Sequence, residues 1–388
     1  MTVRRDFLRI AAGWMSMSSG SAVPQAAAGR VQRVVLVLFG GGVAFNDVFP
    51  RLNSTTKKFD TTRDFAGKNI FKLFCEGTGV RFDSPMIGHH AALATILTGA
   101  MHPPEFRGSE RPRRPTLMEY LRKQRNLDAG QIWMCVGGDS AEALLSHSTH
   151  AQYGARFGAN LLNPRGLFGG QLAQTLEKHG KADSPSAAEA TALAKLRAAV
   201  DGTPATNVFG NESTTQQKLT KLIADTMVGR RLPITGPAAS DVWALRLATE
   251  VLKQFKPTLL AVVLTAADVG HISYRQYASV IEANDTEIGE LVKVIDGDAQ
   301  FKDSTAIFIC PDFGRESSPS ATGGKDHAAN DPNVAASWLV ARGAAIAKGA
   351  QPAQAMRTID VCPTICALLG ARAEHAEGRV VTELVAAG

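Results

Sequence analysis

Three scarcities bound this 388-residue chain before any motif is considered. Cysteine is rare, with only Cys75, Cys135, Cys310, Cys362 and Cys366. These are too few and too scattered for a disulfide framework in a chain of this size, and they lack the paired spacing of a structural zinc site. Cys310 falls in a predicted core strand, and Cys362 and Cys366, one helical turn apart, read as small buried hydrophobes. Aromatic residues make up 6% of the chain, and no basic stripe interleaves with them, so nucleic-acid binding is disfavoured. No run reaches the roughly 18 to 20 apolar residues that a membrane-spanning helix requires.

The bulk composition, 45% hydrophobic and 20% charged, is that of a globular protein with a sizeable core. The length suits one large α/β domain or two of ordinary size. Net charge is +6. The first 28 residues hold three Arg and one Asp, so without them 39 basic residues face 35 acidic ones, a net +4 without clustering. That leading segment reads MTVRRDFLRIAAGWMSMSSGSAVPQAAAGR. Arg4-Arg5, a weakly apolar run and Ala26-Ala27-Ala28 follow the order of a twin-arginine (Tat) export signal with a small-residue cleavage site. Residues 1–28 are therefore expected to be a Tat signal peptide, and the mature protein periplasmic or secreted. Because the Tat route carries folded proteins, often around a cofactor, it tilts the expectation towards a metal.

Short β-branched apolar runs bounded by turn signals predict buried parallel strands at Val34–Phe39, Ile132–Val136, Leu259–Thr265 and Thr305–Cys310, with Ser337–Ala341 as a fifth. Tyr274, Tyr277, Ile281, Ile288, Leu291, Val292 and Ile295 are spaced for one helix face. A second helix is predicted from about Asp241 to Phe255. A third follows Thr358-Ile359-Asp360, carries Pro363 in its first turn and stops at Gly370. Strands alternating with helices imply an α/β fold: a mostly parallel central sheet with helices on both faces. The small and polar stretch from about Ala182 to Thr215 reads as an Ala-rich helix and a loose linker, part of an inserted helical segment at about 165–235. The remainder, 29–388, is expected to form a single domain.

In an open parallel sheet, ligands bind beyond the carboxyl ends of the strands. The polar residues of this chain fall there. Gly40-Gly41-Gly42 and then Asn46-Asp47 follow the first strand, Asp268 and His271 follow LLAVVLT, and Asp312 follows TAIFIC, with Asp326-His327 after a Ser/Gly-rich loop. An Asp after a strand is commonly a turn former, and a lone His is commonly structural. Four acids and two imidazoles at three strand ends instead suggest a metal site. Carboxylate plus imidazole suits Zn, Mn or Fe, and serves Mg or Ca where oxygens dominate. Neighbouring acids also need a cation to ionise together.

At these residues the chain resembles the alkaline phosphatase superfamily, in particular a sulfatase-like branch of exported bacterial proteins that often carry Tat signals. The resemblance runs in order through VVLVLFGGGVAFNDVFP, HHAALATILTGAMHP, RPTLMEYLRKQ, KPTLLAVVLTAADVGHISYRQY, Asp285, TAIFICPDFGRE, GGKDH and TIDVCPTICALLG. It implies an alkaline-phosphatase-like fold and an exported metal-dependent hydrolase of phosphate or sulfate esters, acting on a small-molecule or glycan ester. The implied metal ligands are Asp268, His271, Asp312 and His327, with Asp47 and Asp326 in or near the site. The implied cofactor is one or two divalent ions (Zn, Mn, Ca or Mg).

Several positions depart from the family pattern. Glycines stand where an Asp follows the first strand, Ala267 stands four residues before His271, and Phe313 stands where a second His ligand follows Asp312. The family's nucleophilic Ser, Thr or Cys opens the helix that ends in Thr-Gly; counting back from Gly99 gives His89. Ser84, His89 and His90 are therefore the catalytic candidates, the two histidines being alternatively metal or anion ligands. Arg315 is a candidate anion-binding residue, as is Arg107. These departures keep open a second reading, a non-catalytic relative that holds no metal and binds a glycan or a partner protein. Other motifs carry less. Asp312-Phe313-Gly314 lacks the companions of a kinase, Gly40-Gly41-Gly42 lacks dinucleotide spacing, and His147 and His150 have no neighbouring acid.

Overall fold

A computed structural model describes residues 30–386 except 54, 85, 87, 104, 138–139, 164–235 and 329–330. The expected signal peptide and the expected insertion at 165–235 lie outside the described residues.

The strands are β1 (Arg33–Phe39), β2 (Arg51–Leu52), β3 (Phe59–Asp60), β4 (Thr78–Asp83), β5 (Ile132–Val136), β6 (Asn160–Leu162), β7 (Leu259–Leu264), β8 (Thr305–Pro311) and β9 (Ala336–Gly343). Seven of them form one sheet in the order β4-β9-β8-β1-β7-β5-β6, and β2 and β3 make a separate hairpin. β1 lies at the centre, parallel to β7 with Val34 opposite Leu259, and parallel to β8 with Val34 opposite Ala306. The Ser337–Ala341 run does form a strand, but β9 pairs antiparallel with both neighbours. Its register against β4 matches Thr78 with Ala341.

The main helices are α1 (Lys68–Glu76), α2 (His89–Thr98), α3 (Leu117–Gln124), α4 (Ala239–Phe255), α5 (Tyr274–Gly297) and α6 (Val361–Leu368). Alternation along β1 divides the core. Val34, Leu36 and Leu38 pack with α2, α3 and α6 on one face. Val35, Val37 and Phe39 pack with α4 and α5 on the other, where Ile70 and Leu73 of α1 join them. Strands buried on both faces read as continuous apolar runs, and β1, β5, β7 and β8 are buried at every position. The architecture is thus a mostly parallel sheet covered by helices on both faces.

Buried acids fasten the loops to this frame. Asp241, near the start of α4, accepts from the backbone N–H groups of Thr265 (2.9 Å) and Ala266 (3.1 Å), just past β7. Burial pushes its carboxyl up to about 6. Asp285, on α5, accepts from the N–H groups of Asn69 (3.0 Å) and Ile70 (2.8 Å) in the first turn of α1. Both satisfy donors that would otherwise be orphaned at a chain reversal or a helix start. The Asp241 contact sets the origin of the short turn Ala266–His271, which carries two of the candidate site residues.

Candidate metal centre

The carboxyl ends of three adjacent strands, β8, β1 and β7, bring the polar residues together. His89, Asp268, His271 and His327 each offer one ligand atom, all within 4.8 Å of one another. Asp268 Oδ1 stands 3.1 Å from His89 Nε2 and 3.1 Å from His271 Nε2, and the His271 and His327 Nε2 atoms are 2.9 Å apart. Tetrahedral ligands at the roughly 2.0–2.1 Å bond lengths of zinc would be about 3.3–3.4 Å apart, so the observed spacings accommodate a single ion.

Two of the three imidazoles are oriented from behind. His89 opens α2, and its Nδ1–H donates to Asp312 Oδ2 at 2.6 Å while its ring stacks on Phe313, centroid to centroid 4.7 Å. Asp312 is completely buried and also accepts from the N–H groups of Gly41 (3.2 Å), Gly42 (3.0 Å) and Phe313 (2.8 Å). His271 donates from Nδ1 to Asp326 Oδ1 at 2.9 Å, and Asp326 in turn accepts from the His327 N–H. Carboxylates on the far nitrogens leave the Nε2 lone pairs of His89 and His271 directed at the common centre, the usual outer support of a metal-bound histidine. His89 Nε2 is buried and makes no hydrogen bond of good geometry, although Asp268 is near. Such an orphaned ring nitrogen fits a metal ligand.

The charges are strongly coupled. Burial opposes charge on His89, yet Asp312 foremost, and then Asp268, raise its pKa to about 9. Burial would likewise raise the Asp268 carboxyl, but His89, His271 and the Arg315 guanidinium hold it at about 2. His327 is kept below its ordinary value by burial first and then by the neighbouring His89, His271 and Arg315.

The remaining candidates sit around the cluster. Asp47 forms a buried ion pair with Lys325, whose Nζ lies 2.7 Å from Oδ1 and 2.5 Å from Oδ2, and Asp47 also accepts from the Tyr277 hydroxyl at 3.0 Å. Ser84 is buried, its hydroxyl donating to the Asp312 carbonyl at 2.9 Å. His90 donates from Nε2 to the Glu110 carbonyl at 3.0 Å and stacks on Phe106. Arg315, expected to meet an anion, is completely buried among backbone carbonyls. Lys325 and Asp241 were not singled out from the sequence. Lys325 stands beside Asp326-His327 in GGKDH, where its proximity to a candidate ligand was the available signal, whereas Asp241 carries no such mark within its helix.

Neither a family model nor a curated protein sequence matches this chain. Solved structures do match. A variant of the alkaline phosphatase PafA carrying four substitutions aligns at TM-score 0.55 and 13% identity, covering 94% of this chain and 100% of that one. Wild-type PafA gives TM-score 0.53 and 12% identity over the same shares. A sulfatase candidate from Bacteroides thetaiotaomicron gives TM-score 0.50 and 10% identity, covering 92% of this chain and 74% of that chain. The fold is therefore alkaline-phosphatase-like, with a His/Asp cluster able to hold a divalent cation at the ends of its central strands.

Proposed function

We propose that this protein is a metal-dependent hydrolase of phosphate or sulfate esters in which His89, Asp268, His271 and His327 hold one divalent cation. The observation that carries this reading is the pair of carboxylate–imidazole contacts, Asp312 to His89 and Asp326 to His271, which present Nε2 lone pairs to one centre. Three imidazoles and one carboxylate favour Zn or Mn over Ca and Mg, which take oxygen ligands. The other carboxylates already have partners: Asp47 has Lys325, Asp312 has backbone N–H groups and His89, and Asp326 has His271. This supports one ion rather than two.

A bound cation would supply Lewis-acid polarisation of the ester's phosphoryl or sulfuryl oxygen and would lower the pKa of an adjacent water. The protein's own part is orientation. Asp312 and Asp326 fix the tautomers of His89 and His271, and the Asp268 side chain, 53% exposed, leaves the centre open to an incoming ester. Export by the Tat route to the periplasm or beyond accompanies this reading, on the strength of Arg4-Arg5 and the small residues before position 29. No helix among the described residues is long and apolar enough to cross a membrane.

The test is metal content by mass spectrometry on protein purified without chelators, together with hydrolysis of p-nitrophenyl phosphate, its diester and p-nitrophenyl sulfate. About one equivalent of metal, lost together with activity in His271→Ala, is expected. A second reading, a non-catalytic relative binding a glycan or partner protein, draws on the burial of Ser84, whose hydroxyl is committed to the Asp312 carbonyl. Metal-free protein that stays inactive after incubation with Zn or Mn would select it.

A further inference from the structure

Among the described residues Arg315 is the largest charged side chain in the interior, with no exposed surface, yet its only charged contact among them is at 3.3 Å to Asp268 Oδ1. Its other donors go to backbone. Nε donates to the carbonyls of Gly41 (2.9 Å) and Gly42 (3.0 Å), Nη1 to that of Lys325, and Nη2 to those of Gly41 and Ala267 (3.3 Å). A guanidinium has five N–H donors in a rigid fork, and here they join three chain segments that meet nowhere else in sequence. Each segment bears on a ligand. Gly41 and Gly42 hold Asp312, which orients His89. Ala267 precedes Asp268, and Lys325 lies two residues before His327 and donates its N–H to the Gly270 carbonyl at 2.7 Å. The space for the fork is made by glycine: a Cβ at Gly270 would lie 2.7 Å from the guanidinium carbon.

We infer that Arg315 is a positioning residue for the metal cluster, fastening the loops after β1 and β7 to the Lys325 segment so that the four ligands are assembled before any ion arrives. The inference rests on the metal-site reading. Its effect has a sign opposite to simple electrostatics. A fixed positive charge beside Asp268 repels a divalent ion, so charge alone predicts tighter metal binding once the guanidinium is removed. Positioning predicts weaker binding, by the 10- to 100-fold typical of lost outer-shell support.

The experiment measures Zn affinity by chelator competition in the wild type, Arg315→Met and Arg315→Lys, and local hydrogen exchange in the metal-free proteins. At least a tenfold loss of affinity is expected in both variants, because lysine keeps the charge but not the fork. Faster exchange at Gly42, Asp268 and Lys325, with the amides of β1 and β7 unchanged, should accompany it. Equal or tighter binding by a folded Arg315→Met overturns the inference. If neither variant folds, the metal-free wild type decides: one shared opening free energy for the three loops supports the inference, and independent opening overturns it. A wild type that binds no Zn while its loops open together would instead remove the metal-site reading and leave the fastening intact.

Discussion

The proton on His89 is the sharpest handle on the proposed centre. In the metal-free protein its pKa is raised to about 9 by Asp312 and Asp268 against the opposing effect of burial, so at pH 7 the ring carries both protons. An ion that takes Nε2 must displace one of them. The gap between pH 7 and about 9 corresponds to a roughly 100-fold weakening of apparent affinity, or about 2.7 kcal/mol. Asp268, held at about 2, and His327, held below its ordinary value, add no such proton at pH 7. Affinity for Zn should therefore rise about tenfold per pH unit from 7 to 9 and then level off. Calorimetry at pH 7 in buffers of different ionisation enthalpy should show close to one proton released per ion bound. His89→Ala should abolish both the slope and the release. Metal binding without proton release, unaffected by pH, would refute the reasoning and leave a three-ligand site from which His89 is absent.

Three further outcomes follow from the same geometry. Asp312→Ala strands the buried N–H groups of Gly42 and Phe313 and leaves that of Gly41 with His89 Nδ1 at 3.1 Å, and should cost about 2 kcal/mol or more in urea unfolding of the metal-free protein; an unchanged midpoint would mean those contacts carry little. Lys325→Met leaves Asp47 buried and uncompensated and should destabilise by about 3–5 kcal/mol, while adding Asp47→Leu should recover most of the loss in a double-mutant cycle. At 100 times its dissociation constant, added metal should stabilise by about 2.7 kcal/mol, a gain that chelator reverses and Asp268→Ala removes in thermal melts.

Much of the frame was legible in the sequence because a strand buried on both faces has to be apolar throughout. VVLVLF, IWMCV, LLAVVL and TAIFIC left little choice. β4 and β6 were missed for the complementary reason. TGVRFD lies at a sheet edge with only Thr78 and Phe82 fully buried, and β6 is three residues long. The orientation of β9 was illegible as well, since SWLVA buries the same residues whether it runs with or against β8. At the site, acids placed after strands were easy to see, but their partners were not. Asp47 meets Lys325 across 278 positions and Asp312 meets Gly41 across 271, separations at which periodicity carries no information. His89 was found only by counting back from Gly99, which has φ +70° at the end of α2.

The approach of the β1 loop to the β7 turn has a consequence for any attempt to redesign this centre. A Cβ at Gly41 would lie 2.4 Å from the Asp268 backbone nitrogen, and the residue has φ +98°, so a carboxylate side chain at this position has no room. Introducing one would require the backbone of two loops to separate, and those loops are tied through Arg315. The glycine and the arginine are thus mutually contingent. A carboxylate introduced at Gly41 alone should therefore destabilise the protein.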